Sequence, residues 1–132
     1  MDDNQWVELT RRNRALVTDF VTLALANHHI RDAFMRYVAP HYIQHSPIVP
    51  DGRDNAIAVL SRSIDANPGF TYELQRVIAD GDIVAAHARA QFPGHNPRAI
   101  VDIFRIEDGL IVEHWDIVQE VLASAANPRS MF

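Results

Sequence analysis

RAIVDIFRIEDGLIVEHWDIVQEV, residues 98–121, alternates apolar and polar side chains on either side of Glu107-Asp108-Gly109. That is the pattern of two antiparallel strands joined by a tight turn. Successive strand side chains point to opposite faces, so one assignment orders a whole arm. The first arm divides into Ile100, Asp102, Phe104 and Ile106 against Val101, Ile103 and Arg105. The second divides into Leu110, Val112, His114, Asp116 and Val118 against Ile111, Glu113, Trp115, Ile117 and Gln119. A three-residue loop, Glu107-Asp108-Gly109, groups Asp102, Phe104, Val112, His114 and Asp116 on one face. It also sets Arg105 near Glu113 on the other as a cross-strand ion pair. A two-residue loop would put Phe104 beside Glu113 and Arg105 beside Val112, a poorer match, so the three-residue loop is expected.

Just upstream, FTYELQRVIADGDIVAAHARAQ (residues 70–91) reads as another hairpin, turned at Asp80-Gly81-Asp82. Here His87 groups with Ile83, Ala85, Arg89 and Gln91, while the opposite face holds only Val84 and alanines. Alternation does not decide which of these faces looks inward. Before residue 67 the period is helical. Trp6, Leu9, Leu16, Val17, Phe20, Leu23 and Ala24 make one stripe over residues 5–26. Ile30, Phe34, Tyr37 and Val38 make a second, shorter helix that ends at Pro40. HYIQHSPIVPDG (residues 41–52) reads as extended, closed by a Pro-Asp-Gly turn. Asp51 or Asp54 then caps a third helix carrying Ala56, Ile57, Leu60 and Ile64, which stops at Asn67-Pro68-Gly69. Helices first and strands after indicate an α+β fold. Residues 1–132 form a single domain: three N-terminal helices on a curved, four-stranded antiparallel sheet, a cone with an internal pocket.

Composition narrows the chemistry. The chain has 132 residues, 48% of them apolar, enough for one core. It contains no cysteine, which excludes thiolate nucleophiles, thiolate zinc sites and disulfides. All 12 basic residues are arginine, which excludes Schiff-base and lysine general-base mechanisms. A net charge of −5 argues against nucleic acid as a partner and for a small molecule. No apolar run approaches the roughly 18 residues of a membrane span, and the acidic, polar start is unlike a secretory leader. A cytoplasmic location is expected. His41 and His45 have helical spacing in a segment that reads as extended, where they stand about 13 Å apart, so no metal site is expected. No phosphate loop or nucleophile elbow occurs.

Asp102, His114 and Asp116 among Phe104, Ile106, Val112 and Val118 form a constellation suited to acid/base chemistry. The opposite face, with Val101, Ile103, Ile111, Trp115 and Ile117, is too apolar for water and is expected to pair with a second subunit.

YIQHSPIVPDGRD, RVIADGDIVAAHARA, VDIFRIEDGLIVEHWDIVQ and the terminal NPRSMF together resemble the SnoaL-like proteins of the nuclear transport factor 2 superfamily, from about Asn27 to Phe132. The resemblance implies the same α+β cone, a bacterial homodimer joined through the outer sheet face, and no metal or cofactor. It covers polyketide cyclases of the aldol type, ketosteroid isomerases, epoxide hydrolases, dehydratases and binding proteins. In the cyclases an aspartate late in the sheet is the general acid/base, and Asp116 matches its place. Asp102 stands where the cyclases carry an assisting histidine, a departure that bears on substrate. His45 and His87 are the histidines expected to reach the same pocket. Tyr42, Gln44, Phe34, Phe104 and His114 are expected to line it. Three functions follow: an acid/base enzyme acting beside a carbonyl (aldol-type cyclisation, isomerisation or dehydration), a non-catalytic binding module, or an epoxide hydrolase using Asp102 and Asp116 on one water.

Overall fold

The computed structural model describes all 132 residues. Helix α1 spans Asp3–Val21 and runs into one π-helical turn, Thr22–Ala26; α2 spans Ile30–Tyr37 and α3 Arg53–Ala66. The strands are β1 Val38–Gln44, β2 Thr71–Asp80, β3 Ile83–Gln91, β4 Arg98–Glu107 and β5 Leu110–Glu120. They form one open sheet in the order β1-β5-β4-β3-β2. The last four are antiparallel, as the two hairpins require, but β1 adds a fifth strand parallel to β5, so the sheet is mixed.

The second helix stops at Tyr37, before Pro40, which falls inside β1. An edge strand tolerates a residue without an N–H, and the β1–β5 register breaks between Val38 and Ile43, around that proline. Neither Asp51 nor Asp54 caps α3, whose N-cap is Gly52 with no side-chain bond. The Asp51 carboxylate instead accepts the backbone N–H groups of Gln44 (2.8 Å) and Gly52 (2.9 Å), pulling the loop after β1 back onto the strand's end.

Phe20 of α1 is the pivot of the core. Its ring meets Phe34, Tyr37 and Phe104 edge-on at 5.2, 6.3 and 5.7 Å, the arrangement that aromatic quadrupoles favour. The far end of α1 is pinned to the β2–β3 turn. Trp6 Nε1 donates to Asp80 Oδ1 (2.9 Å), Asn13 Nδ2 donates to the Gly81 carbonyl (2.8 Å), and Thr10 Oγ1 accepts the Gly81 N–H (2.9 Å). Gly81 is required twice over: its φ is +61°, and a Cβ there would stand 2.3 Å from the Trp6 ring.

On β3 the alanine face looks inward. Val84, Ala86, Ala88 and Ala90 are buried, and His87 faces away from the helices. The β4–β5 turn has two residues, not three: Glu107 pairs with Leu110, and Asp108 and Gly109 both adopt positive φ, +52° and +77°. Yet Asp102 pairs with Asp116, Phe104 with His114 and Arg105 with Glu113, the facing that a three-residue loop was expected to produce. The odd residue is supplied by a β-bulge. Ile106 pairs with Ile111 and Arg105 with Glu113, leaving Val112 unpaired. One consequence corrects the expected face of Ile111: it is fully buried, and so is Val112 beside it.

Candidate active site

Three inward side chains meet in the middle of the sheet. The ligating atoms of Asp102, His114 and Asp116 all lie within 4.8 Å of one another. Asp102 and His114 are buried; Asp116, directly across the ladder from Asp102, is half-buried. The row continues toward an open end, where Ile100 is half-buried and Val118 is 44% exposed.

Asp102 is fully engaged. Its Oδ1 faces His114 Nε2 at 2.8 Å and its Oδ2 accepts the Tyr72 hydroxyl at 3.1 Å. Tyr72 lies on β2, two strands away from β4, and can reach across only because the intervening inner side chains of β3 are alanines. His114 Nδ1 faces Gln44 Oε1 at 2.7 Å, and Phe104 packs against the imidazole at 4.9 Å. The same Gln44 oxygen accepts the Ser46 N–H (3.0 Å), while Gln44 Nε2 donates to the Tyr42 hydroxyl oxygen (2.8 Å).

These contacts settle a proton inventory. A backbone N–H only donates, so Ser46 orients the Gln44 amide with its oxygen inward. His114 Nδ1 therefore carries a hydrogen, and one further proton is shared between His114 Nε2 and Asp102 Oδ1. Burial, then the Asp102 charge, push the hydroxyls of Tyr42 and Tyr72 well above the usual phenol range, so both remain neutral. The Asp116 carboxylate, by contrast, enters none of the molecule's hydrogen bonds or ion pairs. Ser46 Oγ is also buried without a partner.

Tyr42, Gln44, Phe104 and His114 thus come together around Asp102 and Asp116 as expected, and Phe34 supports Tyr42 edge-on at 6.1 Å. His45 and His87 do not join them. His45 bonds Glu113 Oε2 (2.7 Å) and stacks on Trp115 at 4.9 Å, and Glu113 and Trp115 point to the outer face. His87 bonds Arg76 and stacks on Phe132 at 5.9 Å, also on the outer face. The cause on β3 is its alanine strip, which takes the inner positions. On β1, residues 42, 44 and 46 alternate inward and leave His45 outward. Phe132 therefore ends on the outer face of the sheet, away from Asp102 and Asp116.

Tyr72 and Ser46 were not among the expected site residues. Tyr72 had a signal: a buried carboxylate needs donors, and this tyrosine sits on a strand of the same sheet. Ser46 had none.

A metal bound by Asp102, His114 and Asp116 would have to displace the Asp102–His114 hydrogen bond, since both histidine nitrogens are already engaged. Hollows of about 350 and 400 Å³ lie on the surface beside His28–Asp32 with Ser61–Asp65, and beside Met1–Arg12; neither is lined by the three inward residues. No helix is long and apolar enough to cross a membrane.

Solved structures share this architecture. An NTF-2 like protein of unknown function from Burkholderia xenovorans superposes with a TM-score of 0.72 at 18% identity, over 88% of this chain and 89% of its own. A candidate ketosteroid isomerase from Kribbella flavida gives 0.71 at 18% identity, over 89% and 85%. A candidate polyketide cyclase from Acidithiobacillus ferrooxidans gives 0.68 at 19% identity, over 81% and 87%. At such identities the likeness establishes the fold. No curated protein matches the sequence. The family model of the SnoaL-like domain does match, over residues 17–114. That span is well over half of the chain and contains Asp102 and His114 together with α2, α3 and the end of α1, and the protein belongs to the SnoaL-like family.

Proposed function

We propose that the protein is an enzyme acting on a small, apolar, carbonyl-containing compound, with Asp116 as the general acid/base and no cofactor. The observation that carries this reading is the contrast between the two facing aspartates. Asp102 has both oxygens engaged, by His114 and Tyr72. Asp116 has both free, at the half-open end of the same buried row. A base must have a lone pair available to the substrate. Asp102 and His114 then serve as a fixed, proton-sharing floor beneath it.

Proton removal next to a carbonyl is the step common to aldol-type cyclisation, isomerisation and dehydration. It can be read without knowing the natural substrate, as deuterium uptake at the α-carbon of small ketones in D₂O, followed by proton NMR. Wild type should accelerate exchange, and Asp116→Asn should abolish it while leaving the thermal unfolding midpoint near the wild-type value. Full exchange by Asp116→Asn would overturn the assignment. If every ketone bound and none exchanged, the binding-module reading would replace it. Epoxide hydrolysis is less supported, because it asks Asp102 to share a water with Asp116 while both of its oxygens are occupied.

The outer sheet face is proposed as a homodimer surface. Ile78 and Ile117 are each 65% exposed there, beside partly exposed Val101, Ile103 and Trp115. Sedimentation should give a dimer for wild type and a monomer for Ile117→Arg. A wild-type monomer would end the proposal.

A further inference from the structure

Proton removal by Asp116 leaves negative charge on the substrate oxygen, and something must receive it. The two histidines expected to do so lie on the other face of the sheet. His114 is engaged at both nitrogens. Two buried hydroxyls of the site still have a hydrogen to give, Ser46 and Tyr42, and of these Tyr42 is the one aimed by the Gln44 amide. Tyr42 is 5% exposed, and its hydroxyl oxygen accepts a hydrogen bond from Gln44 Nε2. The orientation of that amide follows from the Ser46 N–H, which can only donate. Tyr42 is therefore an acceptor toward Gln44, and its own hydroxyl hydrogen has no acceptor in the protein.

A buried hydroxyl that accepts but does not donate is a defect in a finished core and an asset in a binding site. Resting on the reading of Asp116 as the base, we infer that the Tyr42 hydroxyl donates to the carbonyl oxygen of the substrate and stabilises the enolate. The step balances without a co-reactant. The α-C–H bond breaks and its proton goes to Asp116. The electron pair forms C=C, and the carbonyl oxygen takes the charge against the Tyr42 O–H. Asp116 then returns a proton to carbon. Tyr42 lends its hydrogen without losing it, consistent with burial and the Asp102 charge holding it as a neutral phenol. Gln44 is the positioning residue, since its amide aims the hydroxyl by occupying the oxygen.

The probe is 2-tetralone carrying a ¹³C carbonyl, with two readouts: α-deuteration in D₂O, and the carbonyl infrared stretch of the bound ketone. Wild type should exchange the probe and lower its stretch. Tyr42→Phe should slow exchange about 10²-fold, the usual effect of removing one oxyanion donor, and return the stretch toward that of the weakly bonded ketone. Asp116→Asn should stop exchange but keep the lowered stretch. A site-specific 3-fluorotyrosine at position 42 retains the hydroxyl and the Gln44 bond; as a stronger donor it should lower the stretch further, whether or not Tyr42→Phe folds. An unshifted stretch in wild type, or one indifferent to both changes at position 42, would overturn the role of Tyr42. Full exchange by Asp116→Asn with the stretch still responding to position 42 would overturn the base and leave the donor standing.

Discussion

The two faces of the sheet each carry a histidine–carboxylate pair at nearly the same distance. His114 meets Asp102 at 2.8 Å on the inner face, and His45 meets Glu113 at 2.7 Å on the outer. Their surroundings differ. The inner pair is buried, with every remaining polar atom answered by Tyr72 or Gln44. On the outer face the His45 side chain is 42% exposed, and Glu113 is held below the usual carboxylate range by His45 and then Arg105. Distance alone would rank the pairs as equals. Burial decides otherwise: a partner removed inside leaves buried polar atoms with no water to answer them, whereas a partner removed outside leaves a group that solvent can reach and screen.

The largest expected effect follows directly. Asp102→Ala should lower stability by about 3–5 kcal/mol, as for other broken buried pairs, read as a fall in urea midpoint. A loss below about 1 kcal/mol would place the two pairs in the same class. Alkaline pH probes the inner face next. Tyr42 and Tyr72 resist ionisation when folded, so above about pH 10 the unfolded chain binds fewer protons than the native one, and stability falls as pH rises. The slope should be about 1.4 kcal/mol per pH unit for each tyrosine and absent below pH 9. Phenolate absorbance from both residues should appear only with unfolding, and its appearance in the native protein would contradict their burial. Ala86→Leu should cost about 1–3 kcal/mol by overpacking and should also separate Tyr72 from Asp102, visible as a downfield change in the Tyr72 ring resonances. His45→Ala is the smallest, below about 1 kcal/mol and diminishing with added salt.

The same contrast explains what could be read from the chain. Alternation placed Asp102, His114 and Asp116 together because polar residues interrupting an apolar arm leave a clear phase. On β3 one face is alanine and the other is mixed, so neither is marked as core; the small side chains face in because Tyr72 lies over them. That fact belongs to β2 and β4, not to β3. His45 was misplaced because its segment had no expected partner strand. Only the parallel pairing with β5 defines which of its residues look inward. Helix α2 and its boundary at Tyr37 likewise depend on β1 beginning at Val38, a pairing with a strand more than 70 residues away.

Val112 has one more consequence. It is the surplus residue of the β4–β5 hairpin, bracketed by the pairs Ile106–Ile111 and Arg105–Glu113. Its deletion would turn the bulged arm into a regular one without moving Asp116 from opposite Asp102, at the cost of one buried side chain. Removal of a residue such as Trp115 has no such slack to absorb it, and would carry Asp116 to the outer surface. The strand that bears the chemistry is therefore tolerant of a change in length at one address and intolerant next to its acid. Natural relatives can be expected to gain and lose residues at the first place and not at the second.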